Sequence, residues 1–431
     1  MTYNVLNYGD AAACQGPVSN YHQYLKTIVG FANPDVIGLV KMGAVKRTPN
    51  DPYGNAPYGF GDSILRFALN AAYPARYSYC RITNTAGSDD ISMLFFDTTK
   101  LGYLATVINY TDITDFNVYK LYYKDALLSQ TGDTTFLYVI LNHTQSGDGN
   151  AAVRGSQIDG YMQEVRSRFS HLPNMICMGD FNIRNTYEPC YQSLVMPADT
   201  AFRFYDPTFY PDAQLSYPAD WDNNAAQFSK YLTTSTRQGS TPNNCGTGGG
   251  GKSWYDHLLI SPWLAGSSNY IKYIPASYRT IGNDAHRTGI AINNNSTFTN
   301  TAAPAVVITA LWQMSNKYPV MADFLVTPNS TGTSPADPDL TSVGVGALLR
   351  NELVAVTNPV RNDVELHWPE SFAGKHFALI CYDLMGRIQQ HSEGIVLPGN
   401  AAMPCQLNTG SYMMVLFLDG QPVLRKLIIK L

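Results

Sequence analysis

Several short segments of the chain end or open apolar runs with side chains that can hold a charge or move a proton. Asn174-Met175-Ile176-Cys177-Met178 runs into Gly179-Asp180-Phe181-Asn182, and the run 136–141 ends in Asn142-His143-Thr144. Asp256 stands just ahead of the run 258–260, and Asn4 lies inside the first one, 2–6. A carboxylate such as Asp180 or Asp256 is a hard ligand for a cation, and His143 carries the imidazole that titrates nearest neutrality. Two lysines occupy comparable places: Lys41 follows Asp35-Val36-Ile37-Gly38-Leu39-Val40, and Lys317 lies in Ser315-Asn316-Lys317-Tyr318-Pro319-Val320. An ammonium held beside a carboxylate stays protonated. It can then hold an anion but is a poor general base at neutral pH.

One further motif invites a nucleotide-binding reading. Gly246-Thr247-Gly248-Gly249-Gly250-Gly251-Lys252-Ser253 fits G-x-x-x-x-G-K-S. That mechanism needs a buried strand before the loop and a helix after it, so that backbone N–H groups meet phosphate. Here a polar Thr/Ser/Asn stretch precedes the loop and Trp254-Tyr255-Asp256-His257-Leu258-Leu259-Ile260 follows as a strand. The reading is a flexible loop ahead of a strand.

The elements that must position these groups alternate in character. Short apolar runs at 2–6, 36–40, 91–96, 136–141, 175–178, 258–260 and 320–325 are bounded by Gly, Asn, Asp or Pro, the pattern of buried strands. Helical spacing appears at 20–30, with Tyr21, Tyr24, Leu25 and Ile28 on one face. It recurs at 151–169, with Val153, Ile158, Tyr161, Met162, Val165 and Phe169. Strands mixed with helices over this length indicate an α/β or α+β sandwich. Residues 327–342, rich in Pro, Ser, Thr, Asp and Gly, read as a linker. Beyond it, strand-like runs at 353–357, 364–368, 377–382, 387–390, 412–418 and 424–431 form the pattern of a small β-sandwich.

Composition narrows the classes. With 431 residues there is room for one large domain and a small one. Only 14% of residues are charged, against a usual quarter or so, and Tyr, Asn, Thr, Ser and Gly fill the gap, which suits an extracellular or periplasmic protein. The net charge of −4 gives no general reason to expect a polyanion, although a local basic groove would still admit nucleic acid. Seven Cys without C-x-x-C spacing argue against a zinc site and are read as buried thiols with one or two disulfides. No apolar run is long enough to span a membrane, and no signal peptide is visible.

Taken together, the Asn4, His143, Gly179–Asn182, Asp256 and 315–320 segments resemble the endonuclease/exonuclease/phosphatase family. The resemblance implies a four-layered α/β sandwich of deoxyribonuclease I type over residues 1–326. It implies that Asp180 orients or deprotonates the attacking water, that Asn182 and His143 contact phosphate, that Asn4 lies near a metal, and that Asp256 pairs with a catalytic histidine. The tail, 343–431, resembles the C-terminal sorting domain of the type IX (Por) secretion system. That likeness rests on Asn358-Pro359, Tyr382-Asp383-Leu384-Met385-Gly386-Arg387, Leu407-Asn408-Thr409-Gly410-Ser411-Tyr412 and the closing Arg425-Lys426-Leu427-Ile428-Ile429-Lys430. It implies an immunoglobulin-like sandwich, the type IX machinery as a partner, and a secreted or cell-surface protein of a Gram-negative Bacteroidetes-type bacterium. An ordinary immunoglobulin-like accessory domain fits the same strand pattern. Met1 already lies in the first strand, where the family has residues upstream, so the chain is expected to begin at an internal methionine or to have lost a leader.

The departures from the family matter most. Its metal-binding Glu is replaced by Lys41, and no Glu occurs before Glu164. The Asp-His of its last motif is replaced by Asn316 and Lys317. Like charges about 4 Å apart repel by roughly 4 kcal/mol at an effective dielectric near 20, so these ammoniums oppose a dication. The expectation is that Lys41 takes the cation's place against Asp180 or Asn4, and that Lys317 pairs with Asp256. His286 is a substitute base in principle. The sequence therefore points to a secreted pseudoenzyme binding a phosphate-like anion through Lys41, His143, Asn182 and Lys317, with Asn4 and Asn316 beside them and no cofactor. Two alternatives stay open: an active phosphodiesterase or nuclease with altered ligands, using Mg or Mn at Asn4 and Asp180, and a non-catalytic surface or adhesion module.

Overall fold

A computed structural model describes residues 1–9, 18–44, 59–126, 135–239, 245–267, 270–327, 355–356, 359–368, 372–383, 387–397, 400–419 and 421–431. The chain divides into two compact units, Met1–Ser330 and Thr331–Leu431.

The first unit is built on two sheets. One has the order β11-β12-β1-β2-β4-β3, where β1 is Thr2–Tyr8, β2 Val36–Gly43, β3 Tyr77–Tyr79, β4 Asp90–Asp97, β11 Arg279–Thr280 and β12 Val320–Met321. The other runs β5-β6-β7-β8-β9, with β5 Leu101–Thr111, β6 Asp115–Tyr123, β7 Phe136–His143, β8 Met175–Asp180 and β9 Asp256–Ile260. Each sheet holds one parallel pair, β1 with β2 and β7 with β8. A parallel pair needs a crossover. The helices Val18–Ala32 and Ala151–Arg168 supply the two crossovers and cover the outer faces. The inner faces pack on each other, and a Cβ added to Gly38 would fall 2.5 Å from Leu141 Cδ1. The result is a four-layered α/β sandwich around one hydrophobic core.

Strands covered on both sides are apolar throughout, which is why 36–40 and 175–178 stand out in the sequence. Two expectations are corrected. The run 320–325 is not one strand: Val320–Met321 joins the first sheet, and β13, Phe324–Val326, pairs with β10, Ile271–Tyr273. Val153 is 39% exposed, because Arg154 instead turns inward and meets Glu188 at 2.6 Å.

The second unit is all β: a three-stranded sheet (Ala355–Val356, Asp363–His367, Asn400–Pro404) and a four-stranded one (Ile388–Ile395, His376–Tyr382, Gly410–Leu418, Gln421–Lys430). Its core of Val364, Leu366, Leu379, Met414, Leu416 and Ile428 is its own. Residues 328–354 of the expected linker and tail, Asn358 and 384–386, together with parts of the segments 53–79 and 205–250, fall outside the described residues. Of the cysteines, Cys245 is disulfide-bonded, while Cys80, Cys177, Cys190, Cys381 and Cys405 are free. Among the described residues no helix is long and apolar enough to cross a membrane.

Candidate functional site

Register lines up three of the expected residues. His143 at the end of β7 is the partner of Asp180 at the end of β8, and Asp180 is the partner of Asp256 at the start of β9. The chain can turn away after Asp180 because Gly179 has φ +145° and no side chain. A Cβ there would lie 1.9 Å from the Asn142 carbonyl oxygen. Across the sandwich, β1 brings Asn4, and β2 brings Lys41 at an irregularity between Leu39 and Met42 where Lys41 has φ +59°. Bulges of this kind re-aim side chains beside active sites. Asn316 and Lys317 follow the helix Ala305–Met314. Ser315 fixes them to β1: its hydroxyl donates to the Asn4 carbonyl at 2.7 Å and accepts from the Lys317 N–H.

Both oxygens of the Asp180 carboxylate are engaged by the protein itself. Its Oδ1 accepts from the Asn182 N–H at 3.0 Å, and its Oδ2 accepts from Asn4 Nδ2 at 2.8 Å. Lys317 Nζ stands 2.9 Å from Oδ2 and 3.7 Å from Asp256 Oδ2. Lys317 forms the expected ion pair with Asp256, but the expectation that Lys41 takes the cation's place beside Asp180 is corrected. The cation beside Asp180 is Lys317, and it leans on Asp180 more than on Asp256. Lys41, set off by its irregular strand, is half-buried along the cleft and has no ion pair among the described residues.

Charges in the row follow from these contacts. Burial raises the Asp180 carboxyl, but the Lys317 ammonium, His143 and the hydrogen bonds from Lys317 and Asn4 together outweigh it and hold the group below the usual carboxylate range. Burial and then the Asp180 charge push Asp256 upward. Burial opposes the charge on Lys317, yet the two carboxylates keep it protonated. His143 is lowered to about 4, first by burial and then by Lys41 and Lys317, so it is neutral at neutral pH.

A cleft of about 360 Å³ opens over this row. Its lining includes Asn4, Lys41, His143, Asp180, Asn182, Asn316 and Lys317, so the expected residues converge, apart from the fully buried Asp256 just beneath. The sequence did not single out other lining groups: Arg184, Thr234 and Tyr255, with Thr247 and Lys252 from the glycine-rich loop. That loop is packed rather than loose, its N–H groups at Gly249, Gly250 and Gly251 donating to the carbonyls of Gln238, Arg237 and Arg287. A Lys-Ser pair among glycines is its signal in the sequence, although the strand that follows does not suit a nucleotide-binding loop. The Tyr255 ring lies under the Lys317 ammonium at 4.4 Å. His286 stacks on Phe298, exposed and outside the cleft lining. Asn182 gives its amide to the Thr144 carbonyl at 2.9 Å.

The donor set does not fit a divalent cation of Mg or Mn type, which takes about six oxygens in an octahedron. Asp180 is the one carboxylate that is both on the cleft floor and beside Asn4, and it already carries an ammonium and two N–H donors. The Asn4 oxygen accepts from the Leu6 N–H. Among the described residues no three His, Cys, Asp or Glu converge on one point.

No family model and no curated protein matches the chain. Solved structures do. A humanized D. rerio TDP2 has 14% identity over 75% of this chain and 97% of its own, with a TM-score of 0.41. The human Nocturnin catalytic domain with bound sulfate has 12% over 75% and 93%, at 0.42. An endonuclease/exonuclease/phosphatase from Beutenbergia cavernae has 10% over 99% and 98%, at 0.37. The chemistry of the cleft is therefore read from this chain's own residues.

Proposed function

We propose that the protein is a secreted pseudoenzyme of endonuclease/exonuclease/phosphatase type whose cleft binds a phosphate-like anion instead of hydrolysing a phosphoester with a metal ion. The observation that carries this is the Lys317 ammonium 2.9 Å from Asp180, which neutralises the one cleft carboxylate that stands beside Asn4. The cleft lining supports the anion. It holds four cationic side chains, Lys41, Arg184, Lys252 and Lys317, against the two carboxylates Asp148 and Asp180, and Asp148 is 93% exposed. Export is supported by the likeness of residues 343–431 to a type IX sorting domain, and a disulfide at Cys245 suits an oxidising compartment.

The test compares the native chain with the triple variant Lys41→Glu, Asn316→Asp, Lys317→His. Binding of Mg²⁺, Mn²⁺ and Ca²⁺ and hydrolysis of a generic phosphodiester are measured for each. The native chain is expected to bind no dication in the cleft and to show no metal-dependent turnover, while inorganic phosphate raises its melting temperature. The triple variant is expected to gain metal affinity. Native turnover abolished by a chelator overturns the proposal.

A further inference from the structure

Two buried side chains of the cleft keep hydrogen-bonding capacity that the protein does not use. Asn316 donates its Nδ2 to the Thr247 hydroxyl at 3.0 Å, and nothing among the described residues donates to its Oδ1. Thr234, 1% exposed, has a hydroxyl with no partner among the described residues. Both line the cleft, and Thr234 forms a β-bridge with Lys317, the residue that follows Asn316. The glycine-rich loop packs against Asn316. Gly246 has φ +77°, and a Cβ on it would meet Asn316 Cγ at 2.9 Å. The amide is thus held between Thr247 and the loop.

Burying such atoms unpaired is costly, and a ligand that pairs them recovers the cost. The dianion of a phosphomonoester offers acceptors only at its phosphate, so that group can satisfy the cations of the cleft but not Asn316 Oδ1. A hydroxyl can donate to Asn316 and accept from Thr234. The volume of about 360 Å³ lies in the range of small-molecule sites, roughly 300–1,000 Å³. The free cations, Lys41 and Lys252, have no ion pair among the described residues.

We infer that the ligand is a small phosphomonoester carrying a free hydroxyl near the phosphate, with the phosphate held by Lys41 and Lys252 and the hydroxyl between Asn316 and Thr234. This rests on the anion-binding reading of the same cleft.

Calorimetric titration of the full chain with inorganic phosphate, methyl phosphate and glycerol 3-phosphate tests it. The native chain is expected to bind glycerol 3-phosphate about tenfold or more tightly than methyl phosphate, since a site built for a hydroxyl discriminates strongly against its absence. Asn316→Ala and Thr234→Val, each checked for folding by thermal melting, are expected to bring that ratio close to one. Equal native affinities for the two esters overturn the hydroxyl inference while phosphate binding keeps the anion reading. An unchanged ratio in both folded variants also overturns it. No binding of any of the three compounds overturns the anion reading and this inference together.

Discussion

Lys317 is the residue on which the cleft turns. Its ammonium is 7% exposed, touches Asp180, approaches Asp256 and lies over the Tyr255 ring. Removing one member of a buried ionic cluster leaves the others uncompensated and costs about 3–5 kcal/mol. Lys317→Met is therefore expected to lose stability of that order in urea unfolding. Adding Asp180→Asn should return most of it, because the amide no longer needs a counter-charge. Full additivity of the two changes would show that the pair is not coupled. A sequence can show that a lysine stands where the family it resembles has a histidine. It cannot show which of two lysines reaches the carboxylate. Lys41 loses that contest because of an irregularity in β2, a feature of pairing rather than of residue type.

At the level of elements, the candidate site is a row of strand ends, and this part was legible. His143, Asp180 and Asp256 terminate or open runs that are apolar on both faces, and a strand buried on both sides announces its own end. The neighbouring strands β5 and β6 were not legible. Asp115, Asn117 and Lys120 are buried within β6, and β5 meets β6 through two register shifts, so neither alternation nor a continuous apolar run survives. The wall formed by Thr233, Thr234, Ser235, Thr236 and Arg237 was equally silent. It is polar yet buried, because its backbone pairs with the 316–318 segment and the Arg237 guanidinium bonds the Trp312, Gln313 and Cys245 carbonyls. The turn after β8 makes its own prediction. Gly179→Ala places a methyl against the Asn142 backbone, which cannot yield as a side chain would. The variant is expected to lose more than about 1 kcal/mol. The Asp180–Lys317 contact should loosen with it, read as weaker phosphate stabilisation in a thermal-shift assay.

At the scale of the whole molecule, the change in texture near residue 327 corresponds to two separate cores. Residues up to Met321 fill one cluster, and those from Val360 onward fill another. Among the described residues each unit has its own buried cluster, and every functional group argued above belongs to the first. Cooperative unfolding follows shared buried surface, so two self-sufficient cores should melt as two transitions. Differential scanning calorimetry of the full chain is expected to resolve them. The separately produced piece 1–330 should reproduce one transition at its original midpoint and keep the phosphate-induced shift undiminished. A single transition for the full chain, or a piece whose midpoint falls by several degrees, would mean that the tail stabilises the cleft-bearing unit. In that case removing the tail would weaken the anion site instead of leaving it intact.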